Sequence, residues 1–218
     1  MLKKYAIESH PYIGVFSASS EELVVVPPVE QGKVFEEALG STVIKTTIGG
    51  TRVNGSLMGM NSEGAVVSDI IEDREIENLL EYMDVTVIPD AQNALGNNIL
   101  LNDHGALIHP DIQDEAMEAI SAELDVEVKK GTIAGIKMVG SVGVATNKGL
   151  ICHPHVSEEE IEKLEDLFKV PVSKGTANHG SGWIGTCLVA NSEGAIIGNL
   201  TTPIEMGRIE EGLRYLED

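Results

Sequence analysis

The chain has 218 residues, 42% of them hydrophobic and 23% charged, a composition that excludes a disordered chain and is sufficient for a buried core. Fifteen Lys and Arg face 35 Asp and Glu, so the net charge is -20, a field that repels phosphate and anionic lipid and favours a basic protein partner. No apolar run approaches the roughly 18 residues that cross a bilayer, the first residues lack a signal-peptide pattern, and Cys152 and Cys187 make no disulfide framework, which fits a reducing cytoplasm.

Taken in chain order, residues 2–7 read as a strand that precedes any repeat. The first unit, residues 12–51, carries Gly14, the apolar run Val24 to Val26, a helical stripe of Val34, Phe35, Ala38 and Leu39, and the strand Val43-Ile44. The second, 52–93, carries Gly55, the turn Asn61-Ser62-Glu63-Gly64, the run Ala65 to Val67, the stripe Ile76, Leu79, Leu80 and Met83, and the strand Val85 to Ile88. The third, 94–136, has Gly96, Asn102-Asp103-His104-Gly105, Ala106 to Ile108, and the strand Val126 to Val128. In the fourth, 137–181, Gly140 and Thr146-Asn147-Lys148-Gly149 lead to Leu150 to Cys152. A helix follows, with Ser157 and Glu160 at capping-box spacing and Ile161, Leu164 and Phe168 on one face, then the strand Val170 to Val172. The fifth, 182–218, has Gly185, Asn191-Ser192-Glu193-Gly194, Ala195 to Ile197, and a helix of Met206, Ile209, Leu213 and Leu216, with no strand after it.

The first glycines are spaced by 41, 41, 44 and 45 residues, and a second glycine follows nine residues later in four of the five units, with Leu23 in that slot of the first. Asn followed by Gly in a tight loop predicts a hairpin, through residues that tolerate positive φ. The unit is therefore strand, hairpin, strand, helix, strand. The fifth unit lacks its last strand, and residues 2–7 lack a unit, so the N-terminal strand is expected to complete the fifth unit and close the array into a ring without exposed edges. The fold class is α/β, in one domain.

The repeat also tests candidate sites. Cys187 shares a slot with Phe16, Leu57, Asn98 and Val142, and Cys152 with Val26, Val67, Ile108 and Ile197, so both read as small core hydrophobes. His109 and His153 share a strand-to-helix turn; His153 and His155 alone do not make a metal site, and no metal or cofactor is expected. Gly180 to Gly185 fits G-x-G-x-x-G, but a loop precedes it and a strand is expected after it, the reverse of a dinucleotide site. The acidic helices read as solvated outer faces. Residues directly after the first glycines, Val15, Ser56, Asn97, Ser141 and Thr186, should cluster at one end of the ring; the four polar ones are the candidate binding rim, with Asn97 foremost.

The segments Ile13-Gly14-Val15-Phe16, Ala94-Leu95-Gly96-Asn97, Gly105-Ala106-Leu107-Ile108, Val139-Gly140-Ser141, Gly175-Thr176-Ala177-Asn178 and Asn191-Ser192-Glu193-Gly194-Ala195 resemble the archaeal translation initiation factor 6 family, and the resemblance spans essentially the whole chain. It implies a pentein fold, five ββαβ units about a pseudo-fivefold axis. It also implies a non-enzymatic, cytoplasmic, monomeric factor that binds the intersubunit face of the large ribosomal subunit and sterically prevents small-subunit joining. The family's Thr-Thr-Gly-Pro-like phrase stands here as Thr201-Thr202-Pro203, without the glycine. The alternative is a guanidine-modifying pentein enzyme with Cys187 as nucleophile, alongside His153 and carboxylates.

Overall fold

A computed structural model describes residues 2–28 and 32–216. Met1, Glu217 and Asp218, the ends of the expected 1–218 span, lie outside the described residues. The chain runs β1 (Leu2–Tyr5), α1 (Ile13–Phe16), β2 (Ala18–Ser19), β3 (Leu23–Val26), α2 (Lys33–Leu39), β4 (Thr42–Lys45), α3 (Asn54–Leu57), β5 (Met58–Met60), β6 (Gly64–Ser68), α4 (Asp73–Leu80) and β7 (Asp84–Ile88). It continues with α5 (Leu95–Asn98), β8 (Ile99–Leu101), β9 (Gly105–Ile108), α6 (Asp114–Leu124), β10 (Glu127–Lys130), α7 (Val139–Val142), β11 (Gly143–Ala145), β12 (Leu150–Cys152), α8 (Glu158–Phe168), β13 (Val172–Lys174), α9 (Ile184–Cys187), β14 (Leu188–Ala190), β15 (Ala195–Gly198) and α10 (Pro203–Gly212).

Five three-stranded sheets result, each with an antiparallel hairpin and a third strand parallel to the hairpin's second. In the fifth sheet the parallel strand is β1, whose Leu2 to Tyr5 pair in register with Ala195 to Gly198 of β15. The N-terminus therefore supplies the strand that the fifth unit lacks. The inner strands β2, β5, β8, β11 and β14 each pack on the next, and β14 returns to β2, so the array is a closed ring.

The hydrophobic core is divided among the seams. One cluster joins Val25 and Ile44 of the first sheet to Val67 and Leu79 of the second unit. Another joins Val144 and Ile151 of the fourth to Ile197, Ile209 and Leu213 of the fifth. A third joins Val189 and Ile196 to Val24, Phe35 and Leu39, and so links the last unit to the first. Each outer helix thus lies between its own sheet and the preceding one. Burying a Leu or Ile there contributes about 1.5–3 kcal/mol, and neither neighbour alone could provide it.

The structure corrects several expectations. The strand expected after each first glycine is preceded by a one-turn helix that contains that glycine, in α1, α3, α5, α7 and α9. The hairpin glycines do not take positive φ. Two of them are small because backbone comes close: a Cβ at Gly105 would fall within 3.0 Å of the Leu167 carbonyl oxygen, and one at Gly149 within 3.0 Å of that of Gly212. The stripe in α4 is narrower than its spacing predicts, since Leu80 is 52% exposed while Glu75 is buried, and Leu216 beyond α10 is 71% exposed. The third unit's helix, α6, which no stripe announced, buries Ala116, Ile120 and Leu124 at i, i+4, i+8.

Candidate functional site

The five one-turn helices form a collar at one end of the ring. Each packs on the next, and α9 returns to α1. A Cβ at Gly55 would lie within 3.0 Å of the Gly14 carbonyl oxygen; the same holds for Gly96 on Gly55, Gly140 on Gly96, Gly185 on Gly140 and Gly14 on Gly185. The glycines recur because the collar closes backbone against backbone, with no room for a side chain. They surround a narrow axial cavity of about 110 Å³.

Of the expected rim residues, Asn97, Ser141 and Thr186 line this cavity together. Ser56 and Val15 occupy the same helical turn but are not part of its lining. All five lie inside one-turn helices rather than at strand ends. Thr186 is fixed by donating its hydroxyl to the Trp183 carbonyl at 2.7 Å. The Asn97 side-chain amide makes no hydrogen bond with any described residue, although its backbone N–H is held by Ala94 O at 3.0 Å. An amide with two donors and an acceptor left unused is equipped for an external partner.

A second set of rim residues escaped the sequence reading. The residue before each one-turn helix is Tyr12, Val53, Ala94, Met138 or Trp183. Three of these are large, apolar and exposed: Tyr12 at 46%, Met138 at 40% and Trp183 at 41%. Exposed aromatic and Met side chains arranged around one opening are the composition of a protein-binding surface. The repeat held the signal, because their slot lies two residues before the first glycine. Arg52 and Lys137 stand beside Val53 and Met138 and pair with Glu8 and Asp111 at 2.6 and 2.7 Å.

Buried carboxylates brace two loops that lead to the collar. Glu205 is the N3 residue of a capping box on α10, with Thr202 as N-cap. Its carboxylate also accepts from the Thr176 hydroxyl at 2.9 Å, the Gly180 N–H at 2.7 Å and the His179 N–H at 3.3 Å. Burial alone would raise its pKa, but the hydrogen bonds from Thr202, Gly180 and Thr176 outweigh that and hold it at about 2. Glu75 repeats the arrangement on α4, accepting from Thr47, Gly49 N–H and Gly50 N–H, and its pKa is likewise lowered on balance. The reading of the acidic helices as solvated outer faces fails at these two positions. Thr202-x-x-Glu205 carries the capping-box signature, so Glu205 could have been found; Glu72-x-x-Glu75 does not.

The opposite end is formed by the hairpins. Asn61, Asn102 and Asn191 each accept two N–H groups of their own turn and donate across the seam, to Leu124 O, Phe168 O and Leu39 O at 2.8, 3.0 and 2.8 Å. Asp103 joins the Ser62 and Asn147 loops, and Glu21 joins the Ser192 and Asn147 loops. This end is acidic and internally hydrogen-bonded.

The cysteines are core residues. Both are fully buried; burial pushes the Cys152 thiol up to about 12 and also raises that of Cys187, whose Sγ donates to Trp183 O at 3.3 Å. A thiol so placed is not a nucleophile. His109 and His153 each accept a backbone N–H two residues on, from Asp111 and His155, so both organise the strand-to-helix turn they share. Among the described residues no group of three or more His, Cys, Asp or Glu is placed to hold a metal ion. The G-x-G-x-x-G segment runs into the one-turn helix α9 and then a strand, so it does not open a phosphate-binding helix.

A solved structure of a dimethylarginine dimethylaminohydrolase, in adduct with S-methyl-L-thiocitrulline, superimposes with a TM-score of 0.50, covering 99% of this chain and 88% of that one at 12% identity. The likeness is one of fold, and it supports a pentein-like arrangement. The family model described as the eIF-6 family matches residues 2–212. Translation initiation factor 6 of Methanocella arvoryzae is 48% identical over 221 residues, with both chains covered completely. That of Methanococcoides burtonii is 46% identical over 219 residues, covering 99% of this chain and all of the relative, and that of Picrophilus torridus is 41% identical over 220, covering 98% and 100%. With the whole chain matched and the thiols buried in its core, the protein belongs to the eIF-6 family of translation initiation factors and is not an enzyme.

Proposed function

We propose that this protein, acting as a cytoplasmic monomer, docks its collar end on the intersubunit face of the large ribosomal subunit and blocks small-subunit joining by its bulk. The reading is supported chiefly by the contrast between the ends of the ring. The collar presents the unused Asn97 amide inside a rim of exposed Tyr12, Met138 and Trp183, whereas at the hairpin end the turn residues Asn61, Asn102, Asn191, Asp103 and Glu21 spend their side chains on neighbouring loops and helices. The net charge of -20 opposes broad contact with ribosomal RNA and favours a basic ribosomal protein as the direct partner. Attraction of that kind speeds encounter more than it strengthens the complex, so association should slow as salt rises.

The test is co-sedimentation with purified large subunits on gradients at two salt concentrations. The unaltered chain should travel with the subunit and prevent its joining to the small one. Asn97→Glu and Trp183→Asp should each abolish co-migration while leaving the melting temperature near that of the parent. Full co-migration of both variants would refute docking through the collar.

A further inference from the structure

At the hairpin end the seam between the first and second units combines two departures. Where Asn61, Asn102 and Asn191 reach across to the next helix, the fourth unit has Thr146, whose hydroxyl bonds within its own turn, and the first has Ser20, whose hydroxyl accepts from Leu23 N–H of its own turn. The helix it faces is also short. α4 runs for eight residues whereas α6 and α8 run for eleven and α10 for ten; α2, of seven, is shorter still, but its seam is spanned by Asn191. A missing cross-link and a missing helical turn leave an open groove of about 520 Å³ between the Ser20–Leu23 loop and residues 80–84.

The groove has an apolar part and a charged border. Leu80 and Tyr82 are exposed at 52% and 46%, among the largest exposed apolar surfaces of the molecule. Glu22, Glu63, Glu81 and Asp84 border it, all exposed and none in an ion pair among the described residues. Where a lysine stands near, carboxylates pair with it, as Glu37, Asp114, Glu159 and Glu158 do at 2.5–2.7 Å. Among the described residues no Lys or Arg lines the groove.

We propose that this groove binds a basic segment of a partner protein, in which lysines or arginines alternate with apolar anchors. The anchors cover Leu80 and Tyr82, and the cations meet the four carboxylates. Because the groove opens at the hairpin end, away from the collar, its occupant could be held while the collar is engaged.

The probe is a fluorescein-labelled peptide of alternating lysine and leucine, titrated into the full chain by fluorescence anisotropy, with its glutamate-for-lysine counterpart as control. Saturable binding of the basic peptide alone is expected. Glu63→Lys with Glu81→Lys should weaken it about ten-fold or more, as should Leu80→Asp, whereas the same charge change placed on outer helices, Glu162→Lys with Glu210→Lys, should change it less than about three-fold. Equal losses for the two charge reversals would mean attraction to net charge and would overturn the proposal, as would an absence of saturable binding by the parent. Sedimentation velocity adds a further test: a concentration-dependent dimer dispersed by Leu80→Asp would make the groove a self-association surface and overturn the proposal also. The altered side chains are exposed except Glu210, which is half-buried, and an unchanged melting temperature verifies folding.

Discussion

Replacing Glu205 by Gln should unbrace the loop of residues 176–181. That loop places three successive residues at positive φ, Asn178 at 48°, His179 at 64° and Gly180 at 92°. Two of the three are not glycine, and such conformations cost about 1 kcal/mol or more each. The carboxylate offsets this by accepting from the His179 and Gly180 N–H groups and the Thr176 hydroxyl as well as from Thr202. Gln keeps one acceptor oxygen and turns an NH₂ donor toward N–H donors. The folded carboxyl titrates at about 2 against an ordinary 4.5, a difference worth about 3 kcal/mol at roughly 1.4 kcal/mol per unit. The depressed pKa fixes the sign: the contribution is fully present above about 4.5 and is lost as pH falls from there through about 2. At pH 7 Glu205→Gln should therefore unfold about 3 kcal/mol more easily, a drop in Tm of about 6–12 °C for a chain of this size. Urea unfolding of parent and variant across pH 7 to 2.5 measures this directly, and the gap between them should narrow below pH 4.5. A gap of unchanged size at pH 2.5, or none at pH 7, would refute the assignment of the stabilisation to the ionised carboxylate.

Two other perturbations probe the ring itself. Gly96→Ala drives a Cβ into the Gly55 carbonyl and should destabilise by more than about 3 kcal/mol, whereas Gly207→Ala, with nothing within 4 Å on a helix surface, should stabilise by about 0.5–1 kcal/mol; thermal melts that rank the two the other way would contradict the collar packing. Deleting residues 1–8 removes β1 from its register with β15 together with the buried Ile7, so the melting temperature should fall sharply; a deletion that melts like the parent would rule out closure by the N-terminal strand.

The sequence alone determined the number of units, their order and the way the ring closes. Those features are written in glycine spacing and hydrophobic runs, which are local and repeated five times, so each copy checks the others. It also placed Cys152 and Cys187 in the core, since all four sister positions of the first and three of the four of the second are apolar. What it could not supply was the reason for the glycines. In the collar, and at Gly105 and Gly149 of the hairpins, they are held to that size by a carbonyl oxygen from another unit, often 40 or more residues away, and φ does not enter at the hairpins. Nor could periodicity reveal that Glu75 and Glu205 turn inward, because the N–H groups that donate to them come from loops of the preceding unit. The exposed rim of Tyr12, Met138 and Trp183 and the gap left by Ser20 and the short α4 were likewise decided in three dimensions. A repeat fixes what its copies share. The surfaces proposed to bind arise where one copy departs from the others, and the effect of each departure depends on the neighbour it faces.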